Sequence, residues 1–304
     1  MDRVCAVIVT YNRKALLREC LQAVLAQTRP PDHVLVVDNA STDGTAEMLR
    51  EEFPRVEVLR LPENQGGAGG FHEGMKWAYK AGYDWFWLMD DDTVPEKSTL
   101  EGLLQGALEY ELDVVGPLPL SIEDPRELAY PLPVGFLLTF NRNLVDESSI
   151  RWGESQLFLG VLVSKRVVEC VGLPDSRLFI RGDEVEYGLR VSRAGMRVAT
   201  LPWVRVVHPS FRRELFILLG RRFVVGYSGN PRKDFYNFRN RIYIFRKYYS
   251  LWPVKVFLDL VRHIWFFLGV RRGDWKGLAL WFRAAWFGFR GALVPYEKVF
   301  GEHR

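Results

Sequence analysis

Two hydrophobic periods alternate along the first 116 residues. Continuous apolar runs of strand length, rich in Val and Ile, are separated by stretches whose apolar side chains recur every three or four residues. This pattern predicts strands over 4–10, 33–37, 56–61, 85–89 and 113–116, and helices over 14–27, 45–52, 69–81 and 98–110. Strands and helices that alternate with short connections are typical of an open, mostly parallel α/β sheet with helices on both faces.

The pattern is less regular after residue 116. The Pro-rich segment 117–133 predicts irregular excursions over the surface. Further strands are predicted over 134–140, 156–163 and 198–207, with a helix that begins near Ser164. Residues 183–194 predict a helix whose first turn is acidic, where the helix dipole favours negative charge.

Composition shows that basic residues are concentrated in the last part of the chain. The 304 residues are 48% hydrophobic, enough for a large α/β domain and an appendage. Cys5, Cys20 and Cys170 lie far apart and form neither a disulfide framework nor a paired metal spacing, which favours a reducing, cytoplasmic setting. The formal net charge of +4 conceals a basic segment from Arg221 onwards, with 17 Lys and Arg against 5 Asp and Glu. The first 220 residues are therefore acidic overall.

Two apolar, aromatic segments of the basic tail, 251–270 and 275–294, are interrupted by charged residues. A membrane-spanning helix needs about 20 consecutive residues with few charges. These segments fit better as helices in the interface of an anionic membrane, with Trp and Phe among the headgroups and Lys and Arg toward lipid phosphate. The alternative is a pair of helices packed on the rest of the protein. No recognised motif supports nucleic acid as a partner of the tail.

Polar residues follow four predicted strands, and in open parallel sheets ligands bind outside the carboxyl ends of the strands. Asp90, Asp91 and Asp92 come directly after the apolar run 85–89. Adjacent carboxylates repel one another, so a loop that carries three of them needs a compensating cation. Their oxygens suit Mg²⁺ or Mn²⁺, which can bridge to substrate phosphates. The alternative is a solvated acidic turn that caps the next helix.

Two further segments contribute to the same edge. Asp38 ends a buried strand, where a carboxylate can accept hydrogen bonds from a nucleobase or ribose; the alternative is a turn that caps the next helix. The Gly-rich segment 64–70 predicts a loop whose backbone approaches a ligand closely. His72 stands where the dinucleotide fingerprint needs its last Gly, and the chain has no P-loop. Both common nucleotide motifs are therefore disfavoured.

Together, the opening segment 7–13, the segment 37–45 and the triplet 90–92 resemble glycosyltransferase family 2, inverting enzymes with a nucleotide-binding domain of the GT-A type. The resemblance covers at least residues 4–210. Segments 64–71 and 182–190 look most like bacterial galactofuranosyltransferases and rhamnosyltransferases. The resemblance implies transfer of galactofuranose or rhamnose from a nucleotide diphosphate to a glycan or glycolipid acceptor. The favoured nucleotides are UDP and dTDP. The implied cofactor is Mn²⁺ or Mg²⁺, and the implied setting is cell-wall or surface-polysaccharide assembly on the inner face of the cell membrane.

The resemblance also implies roles for individual residues. Asp90, Asp92 and His208 would hold the metal, and Glu184 would be the catalytic base, where galactofuranosyltransferases usually have Asp. Asp183 would orient the acceptor. The nucleotide sugar would be bound by Thr10, Tyr11, Arg13, Asp38, Asn64, Gly66, Gly67, Asp90 and Asp91. Trp152 and Phe158 are candidate acceptor-site aromatics, with core packing as the alternative. The alternative for the acidic residues is that Asp183, Glu184 and Glu186 simply favour a helix N-terminus.

We therefore expect a GT-A domain over 1–220, with a nucleotide-binding part over 1–116 and an acceptor part over 117–220, and a helical, membrane-associating extension over 221–304. Two other functions share some of these features. A nucleotidyltransferase that makes nucleotide sugars would usually carry a basic, Gly-rich loop after the first strand, where this chain has Thr10 to Arg13. A non-catalytic, membrane-bound module that binds nucleotide sugars would keep the fold and lack turnover.

Overall fold

The structure, a computed structural model, describes residues 2–135, 137–218 and 223–301. Its first half contains β1 (Val4–Thr10), α1 (Lys14–Leu25), β2 (His33–Asp38), α2 (Thr45–Glu52), β3 (Glu57–Arg60), α3 (Gly66–Lys80), β4 (Trp85–Asp90), β5 (Val94–Pro95), α4 (Thr99–Glu109), β6 (Val114–Ser121), β7 (Glu127–Val134) and β8 (Leu137–Asn141). Then come β9 (Arg151–Trp152), β10 (Leu159–Ser164), α5 (Lys165–Val171), α6 (Asp183–Arg193) and β11 (Val198–His208). The remaining elements are β12 (Leu215–Leu218), β13 (Phe223–Gly226), α7 (Pro231–Tyr248), α8 (Trp252–Trp265), α9 (Trp275–Arg290) and α10 (Tyr296–Phe300).

The chain divides into two compact units. The first comprises the described residues up to Ser176 together with Tyr187–Ser210, and the second comprises Arg177–Glu186 and the described residues from Phe211 onwards. The predicted boundary between residues 220 and 221 falls within 219–222, outside the described residues. The domain division expected from the sequence therefore stays a prediction.

One large sheet organises the first unit, in the order β3-β2-β1-β4-β10-β6-β11-β5. The four strands β3, β2, β1 and β4 are parallel, and β6 is parallel to β11. Every residue of β1 is buried, because α1 packs on one face of the strand and α3 packs on the other. This arrangement confirms the predicted α/β sheet with helices on both faces.

The prediction of an irregular segment over 117–133 is wrong. β6 continues to Ser121, and β7 covers most of the remainder. Pro117 and Pro119 lie where β6 has passed its pairing with β10, which involves only Val114 and Val115, and next to a register shift in its pairing with β11. A proline, which lacks the N–H donor, is tolerated in a strand at such positions.

Glycines allow α3 to lie close to β1 and β2. A Cβ at Gly74 would collide with Val7 and would lie 2.9 Å from Val37 Cγ2. At Gly67, also in α3, a Cβ would meet nothing within 4 Å.

Gly74→Ala is therefore expected to destabilise the protein by roughly 1–3 kcal/mol, the usual effect of overpacking a core. Gly67→Ala is the matched control, expected to be neutral or to stabilise the helix by up to about 1 kcal/mol. Urea unfolding of both variants measures the two changes in the free energy of unfolding. Equal midpoints would contradict the packing interpretation.

The second unit contains α7, α8, α9 and α10 around an aromatic core. Phe235 and Phe238 of α7 pack with Phe266, Phe267 and Trp281, and all five side chains are buried. The two predicted tail helices correspond to α8, with a π-helical turn after it, and to α9. The sequence did not predict α7, α10 or the β12–β13 hairpin. In the described part of the chain, every helix is too short or too polar to cross a membrane.

Candidate functional site

The carboxyl ends of the parallel strands align polar side chains in one row. Thr10 at the end of β1 is paired with Asp38 of β2, and Asp38 is paired with Arg60 of β3. On the other side of β1, Val9 is paired with Asp90. The row lies at the edge of the sheet where ligands of parallel α/β proteins bind. The structure thus brings the predicted nucleotide-binding residues of three strands together.

Asp91 and Asp92 are held by side chains from distant parts of the sequence. Thr10 Oγ1 donates to Asp91 Oδ2 at 2.7 Å. Arg13 Nη1 lies 3.2 Å from Asp91 Oδ1 and 2.6 Å from Asp92 Oδ2. His208 Nε2, at the end of β11, lies 3.0 Å from Asp92 Oδ1. The predicted proximity of His208 to the acidic triplet is thus present in the structure.

Burial and mutual repulsion shift the pKa values of Asp90, Asp91 and Asp92. Burial, then the charges of Asp92 and Asp91, raises the pKa of Asp90 to about 8. Burial raises the pKa of Asp91 to about 6, although Arg13 opposes this shift. Burial would also raise the pKa of Asp92, but the hydrogen bond and charge of His208, together with Arg13, lower it below its usual value. A cation at this position would relieve the repulsion among the carboxylates.

The donor set fits a divalent metal. Carboxylate oxygens and an imidazole nitrogen are ligands that Mn²⁺ accepts. His208 Nδ1 is 2.7 Å from the carbonyl oxygen of Pro209, which leaves Nε2 toward Asp92, the arrangement usual for a metal-binding histidine. Within the described residues, no three His, Cys, Asp or Glu side chains are already arranged around a common metal position. Asp90, Asp92 and His208 therefore fit the metal in donor type, and Arg13 provides the positive charge beside Asp92 in this structure.

Asp38 presents an unused acceptor at the same edge. Its Oδ1 accepts from the backbone N–H of Ser41 at 2.8 Å, within the turn that the alternative interpretation predicts. The helix start is bonded by Asp43, whose Oδ1 accepts from the backbone N–H of Thr45 at 3.2 Å. Its Oδ2 is buried without a hydrogen-bond partner among the described residues, and Arg60 Nη1 is 3.7 Å away. A buried acceptor of this kind is costly to leave unpaired. The geometry therefore supports both interpretations of Asp38. Arg60, which the sequence did not suggest, could have been found from its position at the end of a predicted strand.

The predicted Gly-rich loop is largely helical. α3 begins at Gly66, three residues earlier than expected, and Gly69 and Gly70 lie within it. Asn64 Oδ1 accepts from the backbone N–H of Gly66 at 2.8 Å, so the side chain supports the start of the helix. A Cβ at Gly67 would meet nothing within 4 Å, whereas one at Gly69 or Gly70 would collide with Gln65 or Val9, so Gly67 keeps room for a ligand near its backbone. The nucleotide contacts of Asn64, Gly66 and Gly67 remain predictions.

Asn39 is a further residue that the sequence did not single out. Its Oδ1 accepts from the backbone N–H of Gln65 at 3.2 Å, and its Nδ2 donates to the carbonyl oxygen of Gly66 at 3.2 Å. Asn39 therefore ties the end of β2 to the start of α3. Tyr11 is 42% exposed at the same edge, so its ring is available to a ligand.

The acidic start of α6 belongs to the second unit. Asp183 is buried, and the backbone N–H of Gly182 donates to Glu184 Oε2 at 2.9 Å. Glu184 also lines a cavity of about 240 Å³, together with Arg181, Arg241 and other side chains of this unit. A carboxylate that faces a cavity can receive a proton from a bound hydroxyl group.

The loop before Glu184 has an unusual backbone and is fixed by α7. Phe179, Arg181 and Gly182 have φ angles of 68°, 64° and 89°. Asn240 Nδ2 donates to the carbonyl oxygens of Leu178, Ile180 and Arg181 at 2.9, 3.1 and 2.6 Å. Arg239 Nη2 donates to the carbonyl oxygens of Arg177 and Leu178, both at 3.1 Å. Arg239 and Asn240 are fully buried, so this part of α7 is a clamp on the loop.

The two candidate acceptor aromatics differ in position. The backbone N–H of Asp90 donates to the carbonyl oxygen of Phe158 at 3.0 Å, so Phe158 lies beside the acidic triplet. Phe158 is buried and stacks on Phe71 with ring centroids 4.0 Å apart, which fits the core-packing alternative. Trp152 is 53% exposed but is paired with Ala199 near the start of β11. His208 ends the same strand, about 30 Å away at a rise of roughly 3.3 Å per residue. The structure does not place Trp152 near the row of Thr10, Asp38 and Asp90.

Comparison with known proteins agrees with this geometry. Residues 5–159 match the family described as Glycosyl transferase family 2. The galactofuranosyltransferase GlfT1 of Mycolicibacterium smegmatis is 38% identical over 296 residues, which cover 94% of this chain and 96% of that protein. The dTDP-rhamnosyl transferase RfbF of Shigella flexneri is 25% identical over 254 residues, 81% of each chain.

Solved structures share the fold. A fragment of S. aureus TarS in complex with UDP superposes with a TM-score of 0.55 at 13% identity, covering 99% of this chain and 93% of that one. The mannosyltransferase PcManGT of Pyrobaculum calidifontis, in complex with GDP-Man and Mn²⁺, gives a TM-score of 0.54 at 20% identity, covering 93% of this chain and 73% of that one. The fold is therefore of the GT-A type. The chain belongs to glycosyl transferase family 2 and is a glycosyltransferase.

Proposed function

We propose that this chain is an inverting, metal-dependent transferase that moves galactofuranose or rhamnose from a UDP- or dTDP-linked donor to a hydroxyl group of a lipid-linked glycan. The observation that carries the proposal is 38% identity to a galactofuranosyltransferase along nearly the full length of both chains. The row of Thr10, Asp38 and Arg60 beside the acidic triplet supports a nucleotide diphosphate as the donor. Products of this kind belong to cell-wall or surface-polysaccharide assembly.

In this proposal, residues of the first unit bind the donor and the metal, and Glu184 of the second unit acts as the base. Asp38 and Arg13 bind the nucleoside and its phosphates at the sheet edge. A divalent metal held by Asp90, Asp92 and His208 would neutralise charge on the departing diphosphate. Glu184 takes the proton of the acceptor hydroxyl as that oxygen attacks the anomeric carbon from the opposite face. Since this single displacement inverts the centre, no nucleophile of the kind used by retaining glycosidases is needed.

Calorimetry with a panel of nucleotide diphosphates and nucleotide sugars, with and without Mn²⁺, tests the donor site. We expect the wild-type protein to bind one nucleotide class in a metal-dependent way. Asp92→Asn should weaken that binding roughly tenfold or more, a difference of about 1.4 kcal/mol or more, whereas Asp146→Asn, in an exposed turn, should not change it. A folded protein that binds no nucleotide would refute the proposal. Product configuration, read by NMR after transfer from UDP-galactofuranose and from dTDP-rhamnose, tests inversion and the donor sugar.

We also propose that the second unit binds the surface of an anionic membrane. Exposed apolar side chains follow one stripe of α8 at helical spacing: Val254, Phe257, Leu258, Val261 and Trp265. Phe282, Trp286 and Phe289 form a similar stripe on α9. Arg290 lies over the ring of Trp286, 5.4 Å from its centroid, so a cation accompanies the aromatic residue. Apolar stripes with neighbouring cations are typical of helices that lie in a membrane interface.

Flotation with vesicles of phosphatidylcholine and phosphatidylglycerol tests the membrane surface. Phe257→Glu is expected to reduce vesicle binding roughly tenfold or more, since burial of a Phe side chain contributes about 1.5–3 kcal/mol. Leu108→Glu is the matched control, because Leu108 is 84% exposed on the first unit. Equal binding of both variants would contradict the assignment of the stripe.

The remaining expectations are part of the same proposal. The domain division proposed at residues 220 and 221 marks the end of the GT-A domain and the start of the membrane-binding part, of which α7 also fixes the loop before Glu184. The location is the cytoplasmic face of the cell membrane, which agrees with three free cysteines.

A further inference from the structure

The cavity beside Glu184 has a cationic wall that the proposed function does not use. Arg241 of α7 and Arg262 of α8 both line this cavity. Both guanidinium groups contact the same carboxylate, that of Asp259: Arg241 Nε lies 2.8 Å from Oδ1, and Arg262 bonds to the same oxygen. The Asp259 side chain is fully buried. Two arginines therefore share one counter-ion at the edge of the cavity.

The other partners of Asp259 add no charge. Trp281 Nε1 donates to Asp259 Oδ2 at 3.2 Å. His263 Nδ1 lies 3.2 Å from the same oxygen, but burial, and then the charges of Arg241 and Arg262, lower the pKa of His263 well below its usual value. The imidazole is thus neutral at physiological pH. The cluster of Arg241, Arg262 and Asp259 carries a net charge of +1. The Arg241 and Arg262 side chains are 32% and 14% exposed, so this charge lies at the wall of the cavity, where a ligand can reach it.

The pKa values of both arginines reflect the loss of water around their guanidinium groups. Burial lowers the pKa of Arg241 to about 10. Burial and the charge of Arg241 lower the pKa of Arg262 to about 9. Arg262 Nε is buried and donates no hydrogen bond in the structure. An anion in the cavity would accept such donors and balance the charge.

Two other acidic residues of the cavity, Glu214 and Asp234, bond to groups other than Arg241 and Arg262. Asp234 Oδ2 is buried and has no hydrogen-bond partner among the described residues. Glu214 bonds to Arg181 and lies 3.9 Å from Lys233 Nζ. Asp234 Oδ1 accepts from the backbone N–H and the hydroxyl of Ser228 at 2.8 and 2.9 Å. Neither carboxylate contacts Arg241 or Arg262 in any ion pair of the described residues.

We propose that Arg241 and Arg262 form a subsite for a phosphate group of the acceptor. This inference rests on the proposed function, in which Glu184 of the same cavity contacts the acceptor hydroxyl. Paired guanidinium groups match the geometry of phosphate oxygens. Arg262 belongs to the helix that exposes Phe257, Leu258 and Val261. A ligand whose phosphate meets Arg262 therefore has an apolar surface on the same helix, which suits the phosphate of a lipid-linked acceptor.

Binding of two probes tests the subsite directly. Calorimetry with inorganic pyrophosphate and with farnesyl diphosphate is run in EDTA, so that a metal does not recruit either probe to the donor site. Arg262→Gln is expected to weaken binding roughly 10- to 100-fold, the usual effect of losing hydrogen bonds to a charged group. Lys276→Gln, an equal loss of charge at an exposed residue of α9, should bind as the wild type does. Tighter binding of farnesyl diphosphate than of pyrophosphate would identify a lipid phosphate as the ligand, and equal binding would indicate phosphate alone.

The variant is designed to remain folded. Removal of Arg262 leaves Arg241 and Asp259 as a balanced pair, and circular dichroism checks the fold; Arg241→Gln is the second variant if the first unfolds. Equal affinities of Arg262→Gln and Lys276→Gln, or no binding of either probe to the wild type, would overturn the proposal.

Steady-state kinetics separate this proposal from the proposed function. With a prenyl-diphosphate-linked sugar acceptor, Arg262→Gln should raise the acceptor KM roughly 10- to 100-fold, and with an alkyl glycoside of the same sugar it should leave KM unchanged. A KM that rises equally for both acceptors would overturn the subsite while the transferase stands. If the wild-type protein transfers sugar to neither acceptor but still binds pyrophosphate or farnesyl diphosphate, the proposed function is refuted and the subsite stands.

Discussion

Glu184→Gln is expected to lower kcat for sugar transfer by roughly 10² to 10⁴, the usual contribution of a general base. The amide keeps the shape of the side chain and its contact with the backbone N–H of Gly182, but it cannot accept the proton of the acceptor hydroxyl. Because the proposed donor site is formed by residues of the other unit, the dissociation constant of the nucleotide should not change. Single-turnover transfer and calorimetry measure the two quantities on the same preparation.

Glu186→Gln is the matched control for this prediction, since Glu186 lies two residues further along α6. Glu186 is buried and bonds to Tyr248 and to Lys247 Nζ, the latter at 3.0 Å. Its loss should therefore reduce stability and leave kcat nearly unchanged. Glu184→Asp should retain more activity than Glu184→Gln, because the base is shortened and not removed. A Glu184→Gln variant with kcat within a few-fold of the wild type would exclude Glu184 as the base.

The sheet edge that carries Thr10, Asp38 and the acidic triplet could be predicted largely from local sequence. β1 and β4 read as continuous apolar runs because both faces of these strands are covered, and each run ends directly before polar residues. The bounds of β1 and α2 agree with the predicted ones. What the sequence could not supply is the pairing across the sheet, because Thr10 and Asp91 are 81 residues apart and meet only through the strand order.

The second unit was harder to predict because its core contains polar residues. α7 carries Arg232, Lys233 and Asp234 at its start, so its pattern reads as a solvated segment, yet Asp234, Arg239 and Asn240 are buried. These side chains satisfy backbone groups of residues distant in the sequence, and no periodicity reveals such partners. The contribution of α7 to the loop before Glu184 is therefore visible only in the structure.

Asn240→Ala is expected to reduce kcat by roughly 100-fold, the effect of a misplacement of about 1 Å at a catalytic group. The Asn240 side chain donates to three carbonyl oxygens of the loop that leads into Glu184. Without these bonds, the left-handed backbone at Phe179 and Arg181 loses the contacts that stabilise it, so Glu184 shifts relative to the acceptor. Stability should also fall, because each buried acceptor left unpaired costs about 1–3 kcal/mol.

Gln27→Ala is the control that separates a positioning role from a general loss of stability. Gln27 is a buried amide of the first unit that donates to the carbonyl oxygens of Ala23 and Glu96 at 3.1 and 2.8 Å. Both variants should unfold at lower urea concentrations than the wild type, but only Asn240→Ala should lose kcat, and it should bind the nucleotide as the wild type does. If kcat falls equally in both variants, the effect reflects stability alone. If it falls only in Asn240→Ala, α7 positions the catalytic base, and the second unit contributes to the chemistry in addition to its proposed membrane binding.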